Sequence, residues 1–371
     1  MRSSLLVLIS SLSLVACSSS SSDGTTTGGT GGSSPSTGGS SSTGGSSAKG
    51  GSTTSAGGTA GSGGTGTAGA AGSGTAGTAG SGGAAAGAGG DAGAGGSGTG
   101  GTGGAAGIVL GGSRPVTLHV PPQYDGTKAL PLFVMLHGYG ANGPAEDSYL
   151  HVALQGNTAG YFTLTPTGTV DSTGKTFWNA TDACCNGDGS TVDDDGYLMG
   201  LVTEASSKVK VDAKRVYFIG HSNGGFMSYR LACNHADVIA GIGVLAGEMW
   251  QDVTKCNPSA PVSVLHIQGT ADMTIAYGGG MIGLATYPGA VQSTADWVKF
   301  DGCNPTGDTS APPFDLDNSL AGAETSITKF GGCKQSSAVE LWTIAGGAHI
   351  PIFGSNFGND VPAWLLAHPK P

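Results

Sequence analysis

Gly220-His221-Ser222-Asn223-Gly224-Gly225 is the run whose residue types could do chemistry. It has the pattern G-x-S-x-G, preceded by the apolar Val216-Tyr217-Phe218-Ile219 and followed by Phe226, Tyr229 and Cys233 at helical spacing. A serine in a sharp turn between a strand and a helix stands clear of the sheet, and small flanking residues let strand and helix pass closely. Its hydroxyl is a weak nucleophile alone. It needs a base, and the base needs an acid to hold its tautomer. In this setting the acid and then the histidine follow the serine along the chain. Asp272, in Gln268-Gly269-Thr270-Ala271-Asp272, follows the apolar run 262–267, and His349, in Gly346-Gly347-Ala348-His349, follows the run 339–344. Asp296 and Asp301 are the competing acids. Of the eight histidines only His349 comes after the acid in a glycine-rich loop, since His368 lies almost at the chain end. Attack on an acyl carbon develops negative charge on oxygen, which two main-chain N–H groups must meet. Asn223, directly after the serine, supplies one. Tyr139 in His137-Gly138-Tyr139-Gly140 supplies the other, with Gly138 as the alternative.

These residues need a scaffold that brings several strand ends together. Runs at 116–120, 131–136, 161–165, 216–219, 242–245, 262–267 and 339–344 read as strands, the second apolar on both faces. Helical spacing appears at 196–209, after Ser222, around 295–300 and at the C-terminus. Alternating strands and helices predict an α/β domain with a mostly parallel, doubly wound sheet. Asp193-Asp194-Asp195 precede the helix at 196–209; without an EF-hand spacing they read as capping and charging its N-terminus rather than as a calcium site. Trp178 admits two readings, a core side chain or an aromatic wall for an acyl group.

The rest of the chain is a different material. Of the 71 glycines, 36 fall in residues 18–107, which carry only three charges, Asp23, Lys49 and Asp91. Such a segment cannot bury a core, so residues 17–107 read as a disordered Gly/Ser/Thr/Ala-rich tether and 108–371 as one domain. Ahead of it, Met1-Arg2, the apolar stretch 5–15 and Ala16-Cys17 read as a signal peptide over residues 1–16, too short to span a bilayer. The net charge of −10 falls on residues 108–371 with no basic run, which argues against nucleic acid as a partner. Six cysteines remain beyond Cys17, with no C-x-x-C among them, and in an exported chain they read as three disulfides rather than zinc ligands. Cys303 is paired with Cys333. Cys184 and Cys185 are expected to split between Cys233 and Cys256, because a bridge between neighbours strains the peptide linking them. No metal or organic cofactor is expected, and the protein is read as a monomer.

Leu14-Val15-Ala16-Cys17 is similar to a bacterial lipobox, which implies a lipid on Cys17 and membrane contact through that anchor alone. Six motifs in order carry a second resemblance: His137-Gly138-Tyr139-Gly140, Phe177-Trp178-Asn179-Ala180 with Cys184-Cys185, Val192-Asp193-Asp194-Asp195-Gly196, Gly220 to Gly225, Gly269-Thr270-Ala271-Asp272 and Gly346-Gly347-Ala348-His349. Over residues 110–371 the chain resembles the secreted esterases that combine polyhydroxybutyrate depolymerases with feruloyl and acetylxylan esterases. The resemblance implies the α/β-hydrolase fold, the triad Ser222, Asp272 and His349, and a polymer-derived ester as substrate. Asp195 stands where that pattern usually has an apolar residue, and 301–333 is longer and more polar than the pattern. A surface lipoprotein that binds carbohydrate or mediates adhesion without catalysis is the competing class. Its signature would be a missing triad member.

Overall fold

The computed structural model describes residues 107–371. The signal peptide, Cys17 and the tether lie outside the described residues. Along the chain run β1 (Ile108–Leu110), β2 (Val116–Leu118), β3 (Leu130–Leu136), α1 (Gly143–Leu150), α2 (Val152–Ala159), β4 (Phe162–Leu164), β5 (Thr169–Val170), β6 (Thr176–Phe177), α3 (Asp194–Lys208) and β7 (Val211–His221). They continue as α4 (Asn223–Asn234), β8 (Gly241–Leu245), β9 (Ser263–Gly269), β10 (Gly280–Ile282), β11 (Ala285–Tyr287), α5 (Ala290–Asp301), β12 (Thr325–Phe330), β13 (Val339–Ile344) and α6 (Asn356–Leu366).

Seven strands form the central sheet in the order β12-β13-β9-β8-β7-β3-β4. All neighbours are parallel except β12, which pairs antiparallel with β13 at one edge. This is an α/β-hydrolase fold. The all-apolar β3 follows from burial on both faces: Leu132, Val134 and Leu136 join one core, and Phe133 and Met135 join the core on the opposite face. The alternating run at 116–120 is not in this sheet. Its residues 116–118 form a two-stranded ribbon with β1, and His119 makes a single antiparallel bridge to Thr163 of β4. The long polar segment after α5 holds β12, whose half-exposed face explains its polar composition.

Asp193 caps α3, accepting the Gly196 N–H at 2.8 Å. Asp194 and Asp195 are taken by other partners: Asp194 pairs with Arg114 at 2.5 Å and accepts the Asn179 N–H at 2.8 Å. Asp195 bonds His235 and the Asn234 amide, with Arg230 at 3.6 Å, and so ties the start of α3 to the end of α4. That bracing accounts for a carboxylate where the motif is usually apolar.

The cysteine expectation is corrected in part. Cys303 bridges Cys333, but Cys184 bridges Cys185 across a cis peptide and Cys233 bridges Cys256. Cys233 closes α4, and Cys256 follows a one-turn helix that returns beneath it, so their Cα atoms stand 5.0 Å apart, inside bridging range. Each satisfies the other, which leaves the neighbouring pair to itself. Non-reducing peptide mapping should therefore recover a Cys233–Cys256 linked peptide and none linking Cys184 or Cys185 to either. Replacing Cys233 and Cys256 together by alanine should cost about 3 kcal/mol, read as a lowered denaturation midpoint.

Candidate functional site

The end of β7 runs into α4 with Ser222 as the sole intervening residue, at φ 54° and ψ −119°. A side chain rarely adopts a positive φ, and this one is held by main-chain bonds on both sides: the Ser222 N–H donates to Leu245 and its carbonyl accepts from Phe226. The flanking glycines are required by space. A Cβ on Gly220 would strike the Gly224 carbonyl, and one on Gly224 would strike the carbonyl of Leu136 at the end of β3.

Two further strand ends deliver the acid and the base. Asp272 follows β9 and His349 follows β13, and the two loops are laced together by Thr270 N–H to the Ile344 carbonyl, Ala271 N–H to the Gly347 carbonyl, and Gly346 N–H to Thr270 Oγ1. Gly269 and Gly347 meet back to back where a Cβ on either would collide with its neighbours. His349 Nδ1 lies 2.8 Å from Asp272 Oδ2, while Asp272 Oδ1 accepts the N–H groups of Thr274 and Ile275 at 2.8 and 2.9 Å. A carboxylate only accepts, so Nδ1 carries the hydrogen and Nε2 keeps its lone pair for a substrate-side proton. Among the described residues no hydrogen bond joins the Ser222 hydroxyl to His349, a contact that commonly tightens only when substrate is present. Asp296 bonds Gln292 and Lys299, and Asp301 accepts the Val262 N–H, so neither competing acid is engaged with His349.

The oxyanion-side loop follows β3. Gly138 N–H is directed to Glu146 Oε2 at 3.4 Å, whereas the N–H groups of Tyr139 and Asn223 have no intramolecular acceptor among the described residues. That favours Tyr139 over Gly138 as the donor beside Asn223. Trp178 is corrected as a substrate wall: it has no exposed surface and belongs to the core. Its main chain clasps the Asn223 side chain, N–H to Oδ1 at 2.7 Å and carbonyl from Nδ2 at 2.9 Å, and its indole N–H donates to the His137 carbonyl at 3.1 Å. One buried residue thus fixes the residue after the serine through its main chain and the loop opposite it through its indole.

Sequence reasoning missed two groups here, Glu146 and the His221 side chain. His221 Nε2 donates to the His349 carbonyl at 3.0 Å, and its ring centroid is 5.0 Å from that of His349. Burial, and next the neighbouring His349, push the His221 imidazole down to about 3, so it is neutral. His137 is likewise held neutral, pushed down to about 4 by burial, with Nε2 accepting the Gly168 N–H. Among the described residues no cluster of three or more His, Cys, Asp or Glu side chains is arranged to hold a metal ion. The site offers a nucleophile in a fixed turn, a histidine paired with a carboxylate, and two free N–H groups. Such a set can transfer an acyl group through a covalent intermediate.

Residues 115–295 match the family model described as Esterase PHB depolymerase. Feruloyl esterase B of Piromyces equi is 28% identical over 244 residues, 64% of this chain and 42% of that protein, so the chain spans less than half of that relative's length. Feruloyl esterase D of Neurospora crassa is 25% identical over 248 residues, 65% of this chain and 75% of that protein. An acetyl xylan esterase from Aspergillus awamori superposes with a TM-score of 0.48 at 16% identity, over 68% of this chain and 93% of that one.

A fluorophosphonate probe should label Ser222, and Asp272→Asn should slow labelling by about 10³-fold or more, because the amide favours the wrong imidazole tautomer. Asp296→Asn and Asp301→Asn should label within a few-fold of wild type. Mass spectrometry of the labelled peptide and the time course of labelling check both statements.

Proposed function

The chain belongs to the esterase family of polyhydroxybutyrate depolymerases and feruloyl and acetylxylan esterases, and from that premise we propose that it is an exported serine hydrolase of a polymer or polymer-derived ester. The observation that carries the reading is the 2.8 Å contact of His349 with Asp272, in a loop that His221, the residue before Ser222, holds by the His349 carbonyl. Ser222 Oγ attacks the ester carbonyl carbon while His349 Nε2 takes its proton. The oxygen, now negative, is met by the Tyr139 and Asn223 N–H groups. Collapse breaks the bond to the alcohol oxygen, which leaves with the proton from His349, and the acyl group stays on Ser222. Water, deprotonated by the same imidazole, then attacks the acyl-enzyme, and the acid departs as the Ser222 hydroxyl is restored. The steps use side chains and main-chain groups of this chain alone.

The rim of the site supports an extended apolar substrate. Met273, next to Asp272, is 97% exposed, and Ile350 and Ile352, just past His349, are 55% and 60% exposed. Apolar side chains held out to water beside a reactive centre are suited to a surface that covers them. Export is supported by three disulfides, bonds that persist in oxidising compartments. In the same reading residues 1–16 are the signal peptide, Cys17 carries lipid, and residues 17–107 tether the esterase domain, 108–371, to a membrane.

The test is a panel of nitrophenyl acyl esters, methyl ferulate, acetylated xylan and a polyhydroxybutyrate film. Hydrolysis of at least one is expected, and Ser222→Ala should lose about 10³-fold or more in kcat while keeping its circular dichroism spectrum. Wild-type rates in that variant would overturn the assignment. A chain starting at Ile108 should match the longer chain in melting temperature and in rate on soluble esters, and should lose association with membranes. A lower melting temperature on trimming would show that residues before 108 pack on the domain.

A further inference from the structure

Glu146 lies in the first turn of α1, 3% exposed, with one carboxyl oxygen toward each half of the site. Oε2 accepts the Gly138 N–H of the oxyanion loop at 3.4 Å. Oε1 is buried without a hydrogen-bond partner and lies 3.7 Å from His221 Nδ1. The protonation of His221 follows from its other contact: the His349 carbonyl can only accept, so Nε2 bears the hydrogen and a neutral ring leaves Nδ1 as a bare acceptor. A carboxylate would set oxygen lone pairs against that nitrogen lone pair. A protonated carboxyl would instead present a donor to that acceptor across the same 3.7 Å.

We propose that Glu146 is a positioning residue that works as a neutral carboxyl, its Oε2 holding Gly138 and its Oε1 hydroxyl donating to His221 Nδ1, so that the oxyanion loop, the serine turn and the main chain of His349 form one bonded chain. This rests on the esterase reading of the site. Burial supports it, pushing the Glu146 carboxyl up to about 8 against the Gly138 hydrogen bond and against the first-turn position that favours an anion. The titratable groups around Glu146 are His221 at the end of β7, Tyr149 one turn further along α1, His137 in the oxyanion loop, and His349 beyond His221, itself paired with Asp272. Tyr149 is pushed well above its ordinary range by burial, with Glu146 and then Asp317 adding to that, so neither His221, His137 nor Tyr149 changes charge where Glu146 does.

Ionised, the Glu146 carboxylate is repelled by the Nδ1 lone pair of the neutral His221 ring; it swings away and drags the Gly138 loop with it, which lowers kcat. The neutral form persists up to about 8, so activity is held below that pH and lost above it.

The experiment compares pH profiles of ester hydrolysis for wild type, Glu146→Gln and Glu146→Leu. Glutamine reproduces the proposed bonds with no proton to lose, its oxygen toward Gly138 and its N–H toward His221. Wild type should fall about tenfold between pH 8 and 9.5, whereas Glu146→Gln should keep about a third or more of the wild-type kcat at pH 7 and run flat to pH 9.5. Glu146→Leu should lose about tenfold or more in kcat at pH 7, with KM within about threefold. A flat alkaline profile in wild type, the same alkaline fall in Glu146→Gln, wild-type kcat in Glu146→Leu, or failure of Glu146→Gln to fold would each overturn the proposal. A Ser222→Ala control separates the two readings: activity surviving in it strikes the esterase assignment, whereas a shared alkaline fall with Ser222→Ala inert strikes the role of Glu146 alone.

Discussion

Main chain passes against main chain where β7 turns into α4, and the site depends on that close approach. Gly224 lies against the carbonyls of Leu136 and His137 at the end of β3, Gly220 against the Gly224 carbonyl, and Gly225 against Gly247 just past β8. With no side chains between them, the serine turn and the oxyanion loop are separated by a distance that the backbone sets and rotamers cannot vary. The positive φ of Ser222 costs on the order of 1–3 kcal/mol and persists because strand, helix and two flanking hydrogen bonds over-determine it.

Around that approach the site is filled with neutral polar groups. Asn223, Trp178, His137 and His221 are all buried, and each bonds to main chain of a neighbouring segment. A buried polar network of this kind rigidifies when satisfied and is costly when it is not. The unpartnered Oε1 of Glu146 is therefore conspicuous. A separate buried set, Glu248 with Ser293, near His266 and its partner Tyr229, holds β8, β9, α4 and α5 together below the loops, and burial drives Glu248 well above the ordinary carboxyl range.

What was legible in the sequence was what short spacing encodes. Ser222, Asp272 and His349 each sit just past an apolar strand in a glycine-bearing loop, so their order and placement could be read locally. The seven runs were legible for the same reason, although the run at 116–120 formed a ribbon outside the main sheet. Long-range contacts were not. Whether Trp178 faces solvent or core depends on residues 41 and 45 positions away, and Cys233 finds Cys256 only because the chain after β8 returns beneath α4. Helix α1 is short and weakly amphipathic, and nothing in its composition indicates that its first turn is pressed under the oxyanion loop.

The strand order makes clear why so much bracing converges on α1. Ser222 leaves β7 and the His349 loop leaves β13, and β8 and β9 lie between them. Three strand spacings put the origin of that loop about 14 Å from that of Ser222, so it must cross two strands with little regular structure of its own. It is held from the far side. Tyr149 of α1 donates to the Pro351 carbonyl at 3.0 Å and packs against Phe353, while His221, beside the serine, holds the carbonyl of His349 itself. Asp272 fixes the ring and these contacts fix the main chain that carries it. One turn back along α1, Glu146 reaches the oxyanion loop. The same two turns of helix therefore anchor both the loop that carries Tyr139 and the loop that carries His349.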